Sequence, residues 1–218
     1  ARYIIGLDYK LQNNENKMLK REIMTKFEHS IKEIFIKLIK IMLKYTKRWS
    51  LLRVISGKVR GLKLDTPKNE DVRPTTDRVK ESLFNIINPY IIDSNVLDLF
   101  AGTGSLGIEC LSRGASSAIF VDVSKESINI VKSNIKKARV ENESTILNLD
   151  FKNAIDRLKI QNKKFDIIFM DPPYYKNMFI DALSSIDEAD LLCDDGIIVV
   201  EHDTKDKFVD KIGRLEKN

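Results

Sequence analysis

The sequence predicts an α/β domain in which a mostly parallel sheet carries helices on both faces. Short apolar runs alternate with stretches of helical periodicity five times between residues 96 and 200. The first run ends in a glycine loop, Gly102 to Gly107, of the kind that opens a helix. Ligands of such sheets bind at the carboxyl ends of the strands, so we expect the functional residues there.

The predicted elements follow one another in a regular order. Residues Val54–Leu64, punctuated by two glycines, predict short extended strands or a hairpin. Thr76 or Asp77 can cap a helix with one apolar face. The strands and helices that follow are expected at Val96–Phe100, Ser105–Ser112, Ala118–Val121, Lys125–Arg139, Thr145–Leu149, Asn153–Leu158, Phe165–Met170, Met178–Leu191 and Gly196–Val200.

The charge is unevenly distributed along the chain. The net charge is +5, but residues 1–51 hold 12 Lys/Arg against 5 Asp/Glu, so the basic excess lies upstream of the alternating region. Apolar positions at helical spacing among lysines predict a basic amphipathic helical leader that contacts RNA, a membrane surface or a partner. A second interpretation is that Leu51 or Leu52 is encoded by a TTG start codon, so that the native product begins just before Arg53.

Composition and residue usage bound the class of protein. The most apolar helical stretch, Ile31–Leu43, contains four charged residues and is too short to span a membrane, and a signal peptide is missing. We therefore expect a cytoplasmic protein. The two cysteines and two histidines show no zinc-site spacing, so no metal is expected. We predict a leader of residues 1–51, a short β extension of residues 52–75 and a main domain of residues 76–218.

Asp98 ends the first core strand, just before the glycine loop. The pattern G-x-G-x-x-G permits a tight turn and a close approach of the backbone to a ligand, and it fits a nicotinamide dinucleotide as well as S-adenosylmethionine. A carboxylate at Asp98 would repel a pyrophosphate, but it can accept hydrogen bonds from the ammonium group of a methionine moiety, directly or through water. Asp98 therefore favours S-adenosylmethionine as the cofactor.

The next two strands also end in acids. Asp122 can accept hydrogen bonds from both ribose hydroxyls, a feature that both cofactors share. Asp150 can accept from an adenine amino group while Phe151 packs against the ring. The alternative role for each acid, Asp98 included, is a helix N-cap. The candidate cofactor-binding residues are Asp98, Phe100, Gly102, Gly104, Asp122, Asp150 and Phe151.

The fourth strand ends in the sequence Asp171-Pro172-Pro173-Tyr174. An aromatic amine is a poor nucleophile because its lone pair is delocalised, so a catalyst should accept hydrogen bonds from the NH2 group and orient the lone pair. The Asp171 carboxylate and the Pro172 carbonyl can do this, since proline lacks a competing N–H and has a fixed φ. Tyr174 offers a stacking face for a base that is extruded or unpaired. The alternative is a Pro-Pro loop after a buried strand.

The stretch from Arg53 to Lys80 is locally basic. A phosphate backbone would lie along it, because affinity for nucleic acid rises with the number of cations that displace counterions. Arg53, Lys58 and Arg60 are the first candidates for such contacts. The alternative is an ordinary solvated face.

Four stretches together resemble the RsmD family of bacterial 16S rRNA guanine-N2 methyltransferases, namely Arg53–Lys58, Arg73–Glu81, Leu97–Gly104 and Asp171–Tyr174. The similarity extends from Arg53 to about Glu216; the last two motifs mark amino-methyltransferases in general. The resemblance implies a class I, Rossmann-like S-adenosylmethionine-dependent methyltransferase that acts on a guanine of 16S rRNA in the assembling 30S subunit. We expect a monomer. The family motif also predicts that Arg73, Thr76 and Arg78 lie near the cofactor or the RNA.

The chain departs from the family pattern in two places. Leu62 stands where family members usually carry another basic residue. The chain also ends at Asn218, where the family continues into its last antiparallel strands, so we expect Gly196–Val200 to form an exposed apolar edge. The functional alternatives are another DNA or RNA amino-methyltransferase, a nicotinamide-dependent oxidoreductase, and an inactive fragment that binds RNA.

Overall fold

The computed structural model describes residues 3–7, 52–67, 77–172, 178–201 and 211–217. The chain divides into two compact units, one of residues 1–8 and 52–218 and one of residues 9–51. The second unit lies outside the described residues, and the predicted amphipathic helix lies there with it. The described residues of the first unit contain the elements that the sequence predicts for the main domain.

Within the described residues, eight strands form one sheet. They are β1 (Tyr3–Leu7), β2 (Asn95–Asp98), β3 (Ser117–Val121), β4 (Ser144–Leu147), β5 (Phe165–Met170), β6 (Leu192–Glu201), β7 (Lys211–Ile212) and β8 (Leu215–Lys217). The helices are α1 (Asp77–Ile87), α2 (Ser105–Arg113), α3 (Lys125–Ala138), α4 (Phe151–Ile160) and α5 (Met178–Glu188), with a short 3-10 helix at Asn88–Tyr90.

The strand order is β4-β3-β2-β5-β6-β1-β8-β7, and every neighbouring pair is parallel except β7–β8. The chain therefore builds outward from β2 to β3 and β4 on one side. It then returns to add β5 and β6 on the other side of β2. The order reverses between β2 and β5, which is where open parallel sheets bind ligands.

The core consists of two apolar layers, one on each face of the sheet. Alternate residues of a strand point to opposite faces, and in β5 the side chains of Ile167 and Phe169 contact one layer while those of Ile168 and Met170 contact the other. Helices α1, α2 and α3 cover the first layer, and α4 and α5 cover the second. This arrangement confirms the predicted α/β fold with helices on both faces.

The predicted elements are found within a few residues of their expected bounds. Strand β2 ends at Asp98 and not at Phe100, because the chain turns after residue 98 into the glycine loop. Strand β6 begins at Leu192 and not at Gly196, because Leu192 pairs with Phe165 before the register shifts at a bulge.

The prediction of an exposed edge at Gly196–Val200 is wrong for the described residues. Strand β6 pairs with β5 on one side and with β1 on the other, from Tyr3↔Ile197 to Leu7↔Glu201. Residues 197–200 of β6 are therefore paired with a neighbouring strand on both sides. Tyr3–Leu7 is thus a strand of this sheet.

The described end of the chain also supplies an antiparallel pair, β7 and β8, which corrects the expectation that such strands are lacking. The turn between them is held by Arg214, whose guanidinium lies 3.0 Å from an Asp187 carboxylate oxygen and 2.7 Å from an Asp190 carboxylate oxygen. Leu215 is buried in the second core layer. The hairpin is thus packed against the end of α5.

Residues 53–63, which we term the basic hairpin, fold back on themselves through one antiparallel bridge, Arg53↔Lys63. The Val54 N–H donates to the Leu62 carbonyl at 2.9 Å, and the Gly61 N–H donates to the Val54 carbonyl at 2.8 Å. Val54 is buried in the first core layer. The segment is therefore anchored to the main domain and has the hairpin form, which is one of the two forms that the sequence predicts.

The packing of the first core layer can be tested at Phe169. This ring is buried against Phe84, with 6.1 Å between ring centroids. Phe169→Ala should lower the free energy of unfolding by about 3–5 kcal/mol, because it leaves a cavity in a close-packed interior. Ile160→Ala is the control, since Ile160 is 81% exposed and should change stability by less than about 0.5 kcal/mol. Equal losses for both variants in urea unfolding would contradict this packing.

Candidate functional site

Three of the predicted site acids meet at one edge of the sheet. Asp98 is in register with Phe120 of β3 and with Phe169 of β5. Asp122 directly follows β3, and Asp171 directly follows β5. The charges of Asp122 and Asp171 both act on the Asp98 carboxyl. The structure therefore brings Asp98, Asp122 and Asp171 together at the point where the strand order reverses.

The glycine loop presents open backbone at this edge. Gly102 and Gly104 have φ values of +54° and +75°, which favour glycine. A Cβ atom at Gly102 would meet nothing within 4 Å, so the space beside its backbone is open to a ligand. At Gly107 a Cβ atom would lie 2.4 Å from the Phe120 ring. The first glycine of the motif thus leaves room for a ligand, and the last permits close packing of α2 on the sheet.

Asp98 is a buried acid, only 3% exposed. One of its oxygens accepts a hydrogen bond of 3.2 Å from the Gly107 N–H, in the first turn of α2. Burial raises the pKa of the Asp98 carboxyl to about 7; the charges of Asp171 and Asp122 also raise it, against the Gly107 hydrogen bond and the Lys80 charge. Asp98 is therefore not the N-cap of α2, a position that Gly104 occupies.

Asp122 connects the glycine loop to the start of α3. One carboxylate oxygen accepts from the Gly102 N–H at 2.8 Å, and the other accepts from the Ser124 N–H at 2.8 Å. Each oxygen retains a further lone pair that can accept from a ligand hydroxyl. The open backbone of Gly102 and the half-buried carboxylate of Asp122 together fit a nucleoside with a ribose diol.

Asp150 is the N-cap of α4, which is the structural alternative considered for it. Its side chain accepts from the Asn153 N–H at 3.1 Å and from the Asn153 side-chain amide. These two hydrogen bonds hold the pKa of Asp150 below its usual value. The half-buried rings of Phe151 and Phe100 pack together beside it, 5.8 Å apart. A role for these three residues in binding adenine stays a prediction.

The end of β5 presents the predicted acceptor groups. Asp171 is exposed and Pro172 is half-buried, directly after the buried Met170. Tyr174 lies outside the described residues, so its predicted stacking face stays a prediction. The Asp171 carboxylate and the Pro172 carbonyl therefore follow the strand that pairs with β2, which ends in the buried Asp98.

The candidate substrate residues are described in part. Arg53, Lys58 and Arg60 are exposed on the basic hairpin. Arg73 and Thr76 lie outside the described residues, and Arg78 belongs to α1 without a described side chain. In the described ranges, no cluster of His, Cys, Asp or Glu could hold a metal ion, and no helix is long and apolar enough to cross a membrane.

One site-building residue that the sequence reasoning missed is Asn134, a buried amide of α3. Its Nδ2 donates to the Thr103 carbonyl at 2.9 Å and to the Asp65 carbonyl at 3.1 Å. Its Oδ1 accepts from the Asp65 N–H at 2.6 Å. Asn134 thereby ties the glycine loop to the chain that follows the basic hairpin. Its position on the apolar face of a predicted helix was the signal that could have revealed it.

The fold and the similarity to known proteins together identify the chain as a class I, S-adenosylmethionine-dependent methyltransferase. The model of the family described as Conserved hypothetical protein 95 matches residues 52–218. The chain belongs to this family, the RsmD family of methyltransferases, as its motifs predict.

Individual relatives agree with this family. The Ribosomal RNA small subunit methyltransferase D of Haemophilus influenzae is 42% identical over 159 residues, which cover 72% of this chain and 80% of the relative. The Escherichia coli protein of the same name is 33% identical over 154 residues, 71% of this chain and 76% of the relative. A hypothetical protein of Thermus thermophilus has a similar structure, with a TM-score of 0.63, 27% identity, and coverage of 73% of this chain and 90% of that one.

The protonation of Asp98 should make stability depend on pH. Because folding raises its pKa from 3.8 to about 7, its contribution to stability is full below about pH 4 and is lost as the pH rises through about 7. Asp98→Asn keeps an acceptor for Gly107 without the charge. This variant should therefore be more stable than the wild type at pH 8, by roughly 2–4 kcal/mol, and the difference should vanish toward pH 4.

Denaturant unfolding at pH 8 and pH 4 measures this difference. Asp156→Asn, on the exposed face of α4, is the control and should have small effects at both pH values. An Asp98→Asn effect of the same size at both pH values would contradict the shifted pKa.

Proposed function

We propose that this protein transfers a methyl group from S-adenosylmethionine to the exocyclic N2 amine of a guanine in the 16S rRNA of the small ribosomal subunit. One observation carries the proposal. Gly102 and Asp122, which fit a nucleoside, lie on one side of the β2–β5 pair, and Asp171 and Pro172, whose oxygens can accept hydrogen bonds from an amine, follow β5. Family membership and the names of the relatives support ribosomal RNA as the substrate.

The proposed cofactor-binding site, which we term the cofactor seat, is formed by residues at the ends of β2, β3 and β4. Asp122 would accept from the ribose hydroxyls beside the open backbone of Gly102, and Asp98 would accept from the methionine ammonium, directly or through water. Phe100, Phe151 and Asp150 would surround the adenine ring. When bound, S-adenosylmethionine would supply the electrophilic methyl group of its sulfonium for transfer to the N2 amine, with a neutral thioether as the leaving group.

The end of β5 would orient the acceptor amine. The Asp171 carboxylate and the Pro172 carbonyl accept hydrogen bonds from the two N2 protons, which directs the lone pair toward the cofactor seat, and Tyr174 stacks on the base. Most of the rate enhancement then comes from orientation of two bound reactants. No strong general base is required, because the proton becomes acidic once nitrogen is alkylated, and it leaves to water or to Asp171. The exposure of Asp171 supports access by an extruded base.

The RNA would lie along the basic segment. Arg53, Lys58 and Arg60 are exposed cations suited to phosphate contacts. Arg73, Thr76 and Arg78 would bind the cofactor or the RNA, as the family motif implies. With such a substrate, the protein would act as a monomer on assembling 30S particles in the cytoplasm.

Labelled methyl transfer tests the proposed function. The purified protein is incubated with methyl-labelled S-adenosylmethionine and 30S particles from cells that lack the gene, and the 16S rRNA nucleosides are separated by mass spectrometry. We expect label in N2-methylguanosine and none in duplex DNA offered in parallel. Label in another nucleoside, in DNA, or in neither substrate would contradict the proposal, and label in DNA would favour the alternative amino-methyltransferase.

Substitutions at the two ends of the site should change different quantities, kcat at one end and the Kd for S-adenosylmethionine at the other. Asp171→Ala should lower kcat by about 100-fold or more with the Kd for S-adenosylmethionine nearly unchanged, because this carboxylate faces the acceptor. Asp122→Ala should raise the Kd for S-adenosylmethionine by about tenfold or more, because it removes charge-assisted acceptors. Equilibrium titration and single-turnover rates measure the two quantities. Equal effects of both variants on both quantities would contradict this division of roles.

A further inference from the structure

Glu109 of α2 is a fully buried carboxylate where three parts of the chain meet. It lies 3.0 Å from the Lys80 ammonium of α1 and 2.9 Å from the Arg113 guanidinium one turn further along α2. Its two oxygens also accept from the backbone N–H groups of Ile55 and Ser56, at 2.8 and 2.9 Å. A buried carboxylate with this many partners holds their geometry, because removing any of them leaves a buried charge less well compensated.

Ser112 extends this attachment along the same face of α2. Its hydroxyl donates to the Ser56 carbonyl at 2.6 Å and accepts from the Val59 N–H at 3.2 Å. Its own carbonyl accepts from the Lys58 N–H at 2.7 Å. Residues three apart on a helix lie on one face, so Glu109 and Ser112 together hold the backbone of the basic hairpin from residue 55 to residue 59.

Gly57 shows how closely the basic hairpin lies against α2. Its φ is +84°, and a Cβ atom there would lie 1.9 Å from the Ser112 carbonyl oxygen. Gly61, in the same hairpin, has a φ of +83°, yet a Cβ atom there would meet nothing within 4 Å. The two glycines share nearly the same φ, and of the two, Gly57 is the one in contact with α2.

The anchored backbone presents its cationic side chains outward. Arg53, Lys58, Arg60 and Lys63 are exposed, while Val54 is buried beneath them. A loop that is already ordered binds a ligand without the entropic cost of ordering. The attachment to α2 therefore keeps the cations of the basic hairpin in one arrangement, which favours binding of a phosphate backbone.

We propose that Glu109 and Ser112 are positioning residues that hold the basic hairpin in the conformation in which its exposed cations bind the phosphate backbone of the RNA substrate. The inference rests on the RNA substrate of the proposed function. Because α2 begins at the glycine loop, the same helix sets the hairpin's position relative to the cofactor seat. Phosphate contacts fix the register of a nucleic acid on a protein, so this attachment would align the target base with the end of β5.

The two glycines provide a matched test. Gly57→Ala and Gly61→Ala introduce the same methyl group at residues with nearly the same positive φ, but only the first drives the basic hairpin away from Ser112. We expect Gly57→Ala to raise KM for 30S particles, and Kd for a fluorescent 16S rRNA fragment, by about tenfold or more. Its kcat and its Kd for S-adenosylmethionine should stay within about twofold of wild type. Gly61→Ala should raise KM and Kd less than about threefold.

A change at Ser112 gives a second test from the opposite side of the contact. Ser112→Ala should raise the same KM and Kd and lower the salt dependence of RNA binding by about one phosphate contact or more. Glu109→Gln should have the same effects on KM, Kd and salt dependence. If this variant does not fold, the comparison of Gly57→Ala with Gly61→Ala tests the positioning role without it. RNA affinity that is equal in Gly57→Ala and Gly61→Ala, or a joint loss of kcat and S-adenosylmethionine affinity, would overturn the positioning role.

The RNA-binding measurement is independent of turnover. If the wild type binds the rRNA fragment but methylates no substrate, the proposed function fails while the comparison of the two glycine variants still decides the positioning role. If the wild type methylates 30S particles but both variants bind RNA as the wild type does, the positioning role fails alone. A wild type that binds no RNA would overturn the inference directly.

Discussion

The parallel pairing of β2 with β5 is the constraint on which the site depends. These two strands are separated in the chain by β3, β4 and their helices, and their pairing reverses the strand order at the centre of the sheet. The reversal places Asp98, which ends β2, beside Asp171, which follows β5. The proposed cofactor site and the proposed acceptor site therefore lie at one edge of the sheet.

Helix α2 links this edge to the surface proposed for RNA. Its first turn donates to the buried Asp98, and its middle carries the buried Glu109. Burial of two acids at one short helix opposes stability, since a carboxylate loses hydration that hydrogen bonds and ion pairs only partly replace. A sequence selected for stability alone would favour apolar residues at such positions, so their presence points to the geometry they maintain.

Much of this structure could be predicted from the sequence, for identifiable reasons. The core elements follow from apolar periodicity, and the meeting of Asp98, Asp122 and Asp171 follows because carboxyl ends of parallel strands share an edge. The role of Asp150 could not be decided, because an acid after a strand and before a helix suits a ligand and an N-cap equally. The pairing of Tyr3–Leu7 with β6, and the contact of Glu109 with Ile55, are tertiary contacts between distant residues, which local patterns do not encode.

A crystal structure with bound S-adenosylhomocysteine tests the central claim most directly. The account predicts that the ribose hydroxyls lie within hydrogen-bond distance of Asp122 and that the sulfur faces the end of β5 beside Asp171. A ligand that occupies another part of the molecule, or one whose sulfur points away from Asp171, would contradict the account.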